Sequence, residues 1–329
     1  MNLEDIGFYT LENDRAKNVC LGSDLWRCEL ILTNKCNFKC PYCRGLKNFR
    51  EDLSYNDAIE TIKKWEDGNL RNIRFSGGEP TLWPGLLELV TFTNSNSSIK
   101  RIALSTNGYA DIDIYKKLFE AGVNDFSISL DACCSSTEDI MSGGIKDSWK
   151  KVIENIKIIS KWTYVTVGIV MNDTNIKEVN KIFKFAESLG VSDIRILSSA
   201  QWNNSDKFKN ICPEQSILKS NPILNYRINN FNNGRNVRGL QIKDCPKCWL
   251  ILDDMVIMNN KHYPCIIYMR EHGNSIGMTK NKTIAEIRKD RYNFMLYHNS
   301  FEDLICKTNC LDVCVDYNNK VDYYNKAYS

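Results

Sequence analysis

Apolar positions along the chain alternate between two periods. From residue 28 onward, short runs rich in β-branched residues are followed by longer stretches whose apolar residues recur at helical spacing. The runs are 28–32, 72–75, 99–104, 125–130, 164–170 and 193–197, and they read as strands. The helical stretches lie near 55–65, 85–93, 112–121, 148–160 and 175–189. In the last of these Ile176, Val179, Ile182, Phe183 and Ala186 share one face. Gly122 and Gly190 follow their helices as C-capping glycines do. Strands alternating with helices imply consecutive βα units and a parallel sheet, with helices expected on both of its faces. Six units are too few for a closed eight-unit barrel. The expected fold class is therefore α/β, a partial (β/α)6 TIM-like barrel over residues 28–198. Ligands of such sheets gather at the C-terminal ends of the strands.

Outside that core the pattern changes. Residues 1–27 read as an N-terminal extension. Residues 199–240 are rich in Asn and Ser, punctuated by Pro213, Pro222 and Gly234, and read as a connecting segment with room for a short helix. Residues 241–329 form a further, cysteine-dense unit. Within it, residues 253–265 read as a hairpin turning at Asn259-Asn260, which would bring Cys248 and Cys265 together across two strands.

Composition narrows the function classes. Net charge is only +3, and the short basic groups, such as those between Lys177 and Lys184, sit at helical spacing, as a solvated face does. A nucleic-acid partner is therefore not expected. No stretch approaches the roughly 20 apolar residues of a membrane helix. The N-terminal MNLEDIGFYTLEND is acidic and mixed rather than signal-like, so a soluble, cytoplasmic protein is expected. Fourteen cysteines against three histidines are the outlier. In a reducing compartment clustered cysteines serve as metal or redox groups, and thiolates favour zinc or iron–sulfur clusters.

Cys36, Cys40 and Cys43, spaced C-x₃-C-x₂-C, follow the first strand directly. Three thiolates can hold three corners of a cubane and leave the fourth iron open. Structural zinc, the competing reading, wants a fourth ligand that is not nearby. Ser76-Gly77-Gly78-Glu79-Pro80 follows the second strand, Ser105-Thr106-Asn107-Gly108 the third, and Ser127 to Asp131 covers the end of the fourth. Glycines allow close backbone approach to a ligand, and a carboxylate at Glu79 can receive an ammonium group. The cysteine spacing, with aromatic Tyr42 before the last cysteine, resembles the signature of the radical S-adenosylmethionine (SAM) superfamily, and the ordered motifs over residues 27–198 agree.

That resemblance implies a [4Fe-4S] cluster on Cys36, Cys40 and Cys43 that chelates SAM and, once reduced, cleaves it to a 5′-deoxyadenosyl radical. It assigns Gly77, Gly78 and Glu79 to the methionine amino group, and Ser129, with Asp131 behind it, to the ribose. Tyr42, Thr106 and Asn107 would line the pocket, with Val170 and Leu197 against adenine. Many relatives carry a basic residue soon after the fourth strand for the SAM carboxylate. Residues 137–146 contain no Arg, and Lys146 is the available substitute.

The C-terminal thiols, Cys245-x₂-Cys248, Cys265 and Cys306-x₃-Cys310-x₃-Cys314, resemble the small twitch and SPASM domains of that superfamily. The spacing of Cys245, Cys248 and Cys265 is also similar to the auxiliary site of the molybdopterin-precursor cyclase. One auxiliary [4Fe-4S] cluster is implied, with Cys248, Cys265, Cys306 and Cys310 as first-choice ligands and Cys245 and Cys314 in reserve; zinc is the competing metal. Cys212, in the connection near the barrel mouth, is a candidate hydrogen-atom donor. Cys20, Cys28, Cys133 and Cys134 read as small buried hydrophobes.

The implied function is a radical SAM oxidoreductase or epimerase. Its partners are SAM, a peptide or small polar substrate, and an electron donor such as flavodoxin or ferredoxin. Modification of a ribosomally made peptide by oxidation, cross-linking or epimerisation ranks ahead of sugar or aminocyclitol chemistry. Behind both stand tRNA or nucleotide modification and a non-catalytic metal-binding role. Fold-level analogy cannot choose the substrate.

Overall fold

The computed structural model describes residues 13–46, 51–95, 98–201 and 211–327. Nine strands form one sheet, in the order β6-β5-β4-β3-β2-β1-β7-β8-β9. The first six are β1 (Arg27–Thr33), β2 (Asn72–Gly77), β3 (Arg101–Thr106), β4 (Asp125–Ser129), β5 (Tyr164–Met171) and β6 (Asp193–Ser198). All five pairings among them are parallel. The main crossover helices are α2 (Tyr55–Glu66), α3 (Leu86–Asn94), α4 (Ile112–Glu120), α6 (Ser148–Ile159) and α7 (Val179–Ser188). Each expected strand and helix is present, with ends shifted by a residue or two; the 175–189 stretch begins as a 3-10 turn at Ile176–Glu178.

The expectation of helices on both faces is corrected by the alternation of side chains. Cys28, Leu30, Leu32, Ile73, Phe75, Ile102, Leu104, Phe126, Ile128, Val165, Val167, Ile194 and Ile196 join the helices in the main core. Their neighbours one residue away, Glu29, Arg74, Ser76, Ser105, Asp125, Ser127, Thr166 and Arg195, point the other way, as a two-residue period requires. There Arg74 donates to Ser105 Oγ at 3.0 Å and to Asp125 Oδ2 at 3.2 Å, and Arg101 pairs with Asp125 at 3.7 Å. The inner face of the partial barrel is thus filled with paired charges and small hydroxyls. A charge buried in this way is tolerated only when paired.

Further helices are present besides these five. A short α5 (Ser135–Met141) follows β4, with Cys134 as its N-cap. Part of the supposed connection is helical too: α9 (Pro222–Asn232) packs beside β6, and α8 (Gln215–Ser220) packs on α9 and α7. Pro222 occupies the first helical turn, where its missing N–H costs nothing. Asp193 of β6 accepts from Ile223 N at 2.9 Å and so caps α9.

The cysteine-rich part continues the sheet rather than standing apart from it. β7 (Asp254–Met258) pairs in parallel with β1, registering Arg27 with Asp254. β8 (Lys261–Tyr263) returns antiparallel, through the expected turn. Asn259 and Asn260 both have positive φ, 52° and 56°, as a two-residue hairpin of this hand requires. β9 (Gly277–Met278) completes the edge. Helices α10 (Ile266–Arg270), α11 (Ile284–Tyr297), α12 (Leu304–Asn309) and α13 (Asp312–Ala327) surround it. From the other end of the chain, α1 (Asn13–Asn18) packs on α13. There Asp253 joins Arg15, by an ion pair, to Tyr317, whose hydroxyl donates at 2.8 Å. Among the described residues, no helix is long and apolar enough to cross a membrane.

Candidate functional site

The C-terminal ends of the parallel strands surround a cavity of about 710 Å³. Cys36, Cys40 and Cys43 all line it, on the loop that leaves β1. So do Tyr42, Gly77, Gly78, Thr106, Asn107, Ser129, Asp131, Val170 and Leu197. The sequence motifs, spread over six strands, therefore converge on one space.

The cysteine loop is fastened on every side. Gly78 N donates to Thr33 O at 2.8 Å, and Glu79 N to Lys35 O at 2.7 Å. A Cβ on Gly78 would stand 2.3 Å from Lys35 O, so only glycine permits this approach. Asn107 Nδ2 donates to Asn37 Oδ1 at 2.7 Å, and Lys39 N to Ser142 O at 3.0 Å. Gly143, at φ +82°, lies against the same loop, where a Cβ would meet Lys39 O at 2.2 Å. Tyr42 donates its hydroxyl to Asp131 Oδ2 at 2.5 Å, while Val170 N donates to Asp131 Oδ1 at 2.6 Å. Asp131 therefore ties the loop to β5. Burial raises its carboxyl above the ordinary range, and the same is true of neighbouring Glu138, which the Asp131 charge pushes further. Burial also pushes the Cys40 thiol up to about 12 and raises Cys36. Thiols so shifted remain protonated until a cation replaces the proton, which is how a metal binds them.

Glu79 sits one layer behind the lining. It does not line the cavity and is only 1% exposed. Its Oε1 accepts from Thr81 N at 3.1 Å, from Thr81 Oγ1 at 2.8 Å and from Thr106 Oγ1 at 2.8 Å; its Oε2 accepts from Asn107 N at 2.7 Å. Those bonds join the loop after β2 to the loop after β3, directly behind the cavity wall formed by Gly77, Gly78 and Asn107. Glu79→Ala is expected to lower unfolding free energy by about 3 kcal/mol or more, since several buried donors lose a charged acceptor. Denaturant titration measures this. A variant of wild-type stability that had lost only SAM affinity would count against the assignment.

Cys212 is exposed and is not among the described residues that line the cavity. Lys146 is likewise exposed and off the lining. The basic residues that do line it are Lys39, Arg44, Arg195 and Arg270. Arg195 had one sequence signal, its position two residues before Leu197 on the inward face of β6. Arg270 had none, because it arrives from the cysteine-rich region, where its Nη2 donates to Gly77 O at 2.8 Å.

A second cavity lies among the C-terminal elements. Cys248, Cys265, Cys306, Cys310 and Cys314 line it, with Leu250, Ile251, Ile267 and Tyr268. Cys265 starts α10, Cys306 lies within α12 and Cys314 within α13. Cys248 precedes the 3-10 turn Trp249–Leu252, so it meets Cys265 from beside the hairpin rather than across its strands. Arg291 holds this frame, donating to Ile251 O at 2.7 Å, to Tyr263 O at 3.0 Å and also to Asp254 O. Burial is the leading cause of a raised thiol pKa throughout, to about 12 at Cys248 and about 11 at Cys265, with Cys306, Cys310 and Cys314 also pushed up. Neighbouring thiols add to it. Such a donor set suits an iron–sulfur or zinc centre. Cys314 thus stands with the first-choice residues, whereas Cys245 is buried apart from the lining, beside Trp249 and Asp322. His298 joins the lining, its Nε2 3.4 Å from Cys306 Sγ.

Comparison with known proteins bears on the first of these cavities. The model of the radical SAM superfamily matches residues 30–186. A GTP 3',8-cyclase of Aliarcobacter butzleri is 31% identical over 199 residues, which are 56% of this chain and 61% of that protein. A probable GTP 3',8-cyclase of Saccharolobus islandicus is 30% identical over 180 residues, covering 54% and 58%. The chain therefore spans less than two thirds of the length of these relatives. Among solved structures, Streptococcus suis SuiB bound to precursor peptide SuiA is similar at a TM-score of 0.58 and 14% identity, covering 83% of this chain and 66% of that one. Native anSMEcpe with bound AdoMet and Kp18Cys peptide is similar at 0.59 and 16% identity, covering 92% and 97%. At such identities the likeness is one of fold.

Proposed function

We propose that this chain, whose residues 30–186 match the radical SAM superfamily, is a radical SAM enzyme acting on a substrate held in the 710 Å³ cavity. The observation that carries this reading is that Cys36, Cys40 and Cys43 share one cavity with Gly77, Gly78, Ser129 and Asp131. Cys36, Cys40 and Cys43 would hold three irons of a [4Fe-4S] cluster. When bound, the cluster and SAM supply a 5′-deoxyadenosyl radical able to abstract a substrate hydrogen atom. The chain's own contribution is positional. Gly77 and Gly78 offer backbone to the methionine end of SAM, and Ser129 offers a hydroxyl to its ribose. The Tyr42–Asp131–Val170 bonds fix the cysteine loop relative to that ligand. Preorganisation of this kind is what positions a radical near one chosen hydrogen.

Cys248, Cys265, Cys306, Cys310 and Cys314 would hold one auxiliary cluster. Such a centre can take up an electron after hydrogen abstraction, which gives net oxidation, or it can bind substrate.

A peptide is the first-ranked substrate. Both similar solved structures are described with peptides, and one of them spans nearly this whole chain. A second reading, cyclisation of a nucleotide, is favoured by the 31% identity to a GTP 3',8-cyclase. The test is anaerobic reconstitution with iron and sulfide, followed by assay of 5′-deoxyadenosine from SAM and dithionite. Formation of 5′-deoxyadenosine supports the radical SAM reading; its absence at full iron loading rejects it. Mass change of a candidate peptide against consumption of GTP then separates the two substrates.

A further inference from the structure

The mouth of the large cavity carries a group of arginines that the SAM-binding role does not use. The candidate SAM contacts Thr106, Asn107, Ser129, Asp131 and Val170 lie at the ends of β3, β4 and β5. Arg44, Arg238 and Arg270 approach from elsewhere. Arg44 follows the last cysteine of the loop, Arg238 follows α9, and Arg270 ends α10. Arg44 and Arg270 line the cavity. Arg238 donates from Nε to Ser198 O at 3.0 Å, one residue beyond lining Leu197.

One acid serves this group. Glu271 pairs with Arg44 at 2.6 Å and is also the main counter-charge acting on Arg238. Arg44 and Arg238 share that one carboxylate, and Arg270 adds a further positive charge on the cavity wall. The lining carboxyls Asp131 and Glu138 are engaged elsewhere: Asp131 accepts from Tyr42 and Val170 N, and Glu138 from Asp131 N at 3.3 Å. Moreover, Arg44 Nε and Arg238 Nη1 are buried with no hydrogen-bond partner among the described residues. Buried donors are ordinarily satisfied, and an orphaned one on a charged group is costly. One such donor on cavity-lining Arg44, with another on Arg238 beside Ser198 just behind the lining, is what an anionic ligand would satisfy, since guanidinium geometry matches carboxylate and phosphoryl oxygens.

We propose that Arg44, Arg238 and Arg270 form a subsite for an anionic group of the substrate, a carboxylate or a phosphoryl, at the mouth of the large cavity. The subsite rests on the reading above that this cavity holds the substrate. It gives the substrate an orientation: its anion sits between the cysteine loop and the C-terminal helices, and the rest reaches inward toward the ends of β3–β5.

Calorimetry on the anaerobically reconstituted protein, saturated with SAM, tests this with inorganic pyrophosphate and glutarate as probes. At least one probe should bind. Arg44→Gln and Arg238→Gln should each weaken that binding about tenfold or more, while SAM affinity changes less than about twofold. Arg44→Lys should recover part of the loss, and as Arg44 is partly exposed it carries little folding risk. Preference for pyrophosphate identifies a phosphoryl group on the substrate, and preference for glutarate a carboxylate. Failure of both probes to bind, equal binding by the variants, or a parallel loss of SAM affinity would overturn the proposal. The last result would place SAM's own carboxylate on these arginines. Formation of 5′-deoxyadenosine by the unaltered protein is read separately, so failure of the radical reading and failure of the subsite remain distinguishable.

Discussion

Cys40→Ala is expected to abolish 5′-deoxyadenosine formation, a fall of about a thousandfold or more, and to remove about four irons per chain, the content of one cubane. Cys40 is the middle thiol of C-x₃-C-x₂-C and is half-buried. The bond from Lys39 N to Ser142 O and that from Tyr42 to Asp131 hold the residues on either side of it. No other cysteine lines that cavity beyond Cys36 and Cys43 among the described residues, so no substitute thiol is at hand. Iron content, visible absorbance and the 5′-deoxyadenosine yield measure the effect together. Cys212→Ala serves as the control and should leave all three unchanged, since Cys212 is exposed and off the lining. Retention of SAM cleavage by Cys40→Ala would remove the three-cysteine cluster from the reading.

The second large effect is expected from the double variant Cys310→Ala, Cys314→Ala. It should lose about four irons per chain, keep SAM cleavage and lose substrate conversion. Both thiols line the second cavity, where apolar neighbours and other thiols make an isolated thiolate costly. Only a bound cation makes so many thiolates stable there. Cys245→Ala is the informative comparison. Cys245 lies near Asp322 and Trp249 instead of on the cavity wall, so its replacement should leave the iron count intact. Iron loss equal to that of the double variant would restore Cys245 to the ligand set. A count that never exceeds about four in the unaltered protein would remove the auxiliary cluster altogether.

Much of the fold was legible because βα units are local. Each strand announces itself by a run of apolar residues such as 164–170, and each helix by a stripe such as Ile176, Val179, Ile182, Phe183 and Ala186. Burial fixes both periods residue by residue. The large cavity was legible for the same reason. A motif placed directly after a strand of a parallel sheet must lie at its C-terminal edge, which brings Cys36, Gly77, Thr106 and Ser129 to one side. What the strand pattern hid was its inner face. Arg74, Asp125 and Arg195 interrupt apolar runs only singly, and their pairing crosses strands that are far apart in sequence. Helix α5 was hidden because it is short and polar, α8 because it is only six residues long, and α9 because its Asn-rich sequence resembles that of a loop.

The sequence alone determined the six parallel units, the hairpin turning at Asn259-Asn260, and the concentration of thiols at two places in the chain. These depend on contacts within one unit, or on the order of units. Only the tertiary structure decided that Glu79 bonds Thr81, Thr106 and Asn107, that Cys314 joins Cys248 while Cys245 does not, and that Arg270 reaches Gly77. Each of those outcomes is a choice among partners of the same chemical type. A carboxylate accepts from any donor and a thiol suits any soft metal. Packing therefore has to settle which of them come within bonding distance.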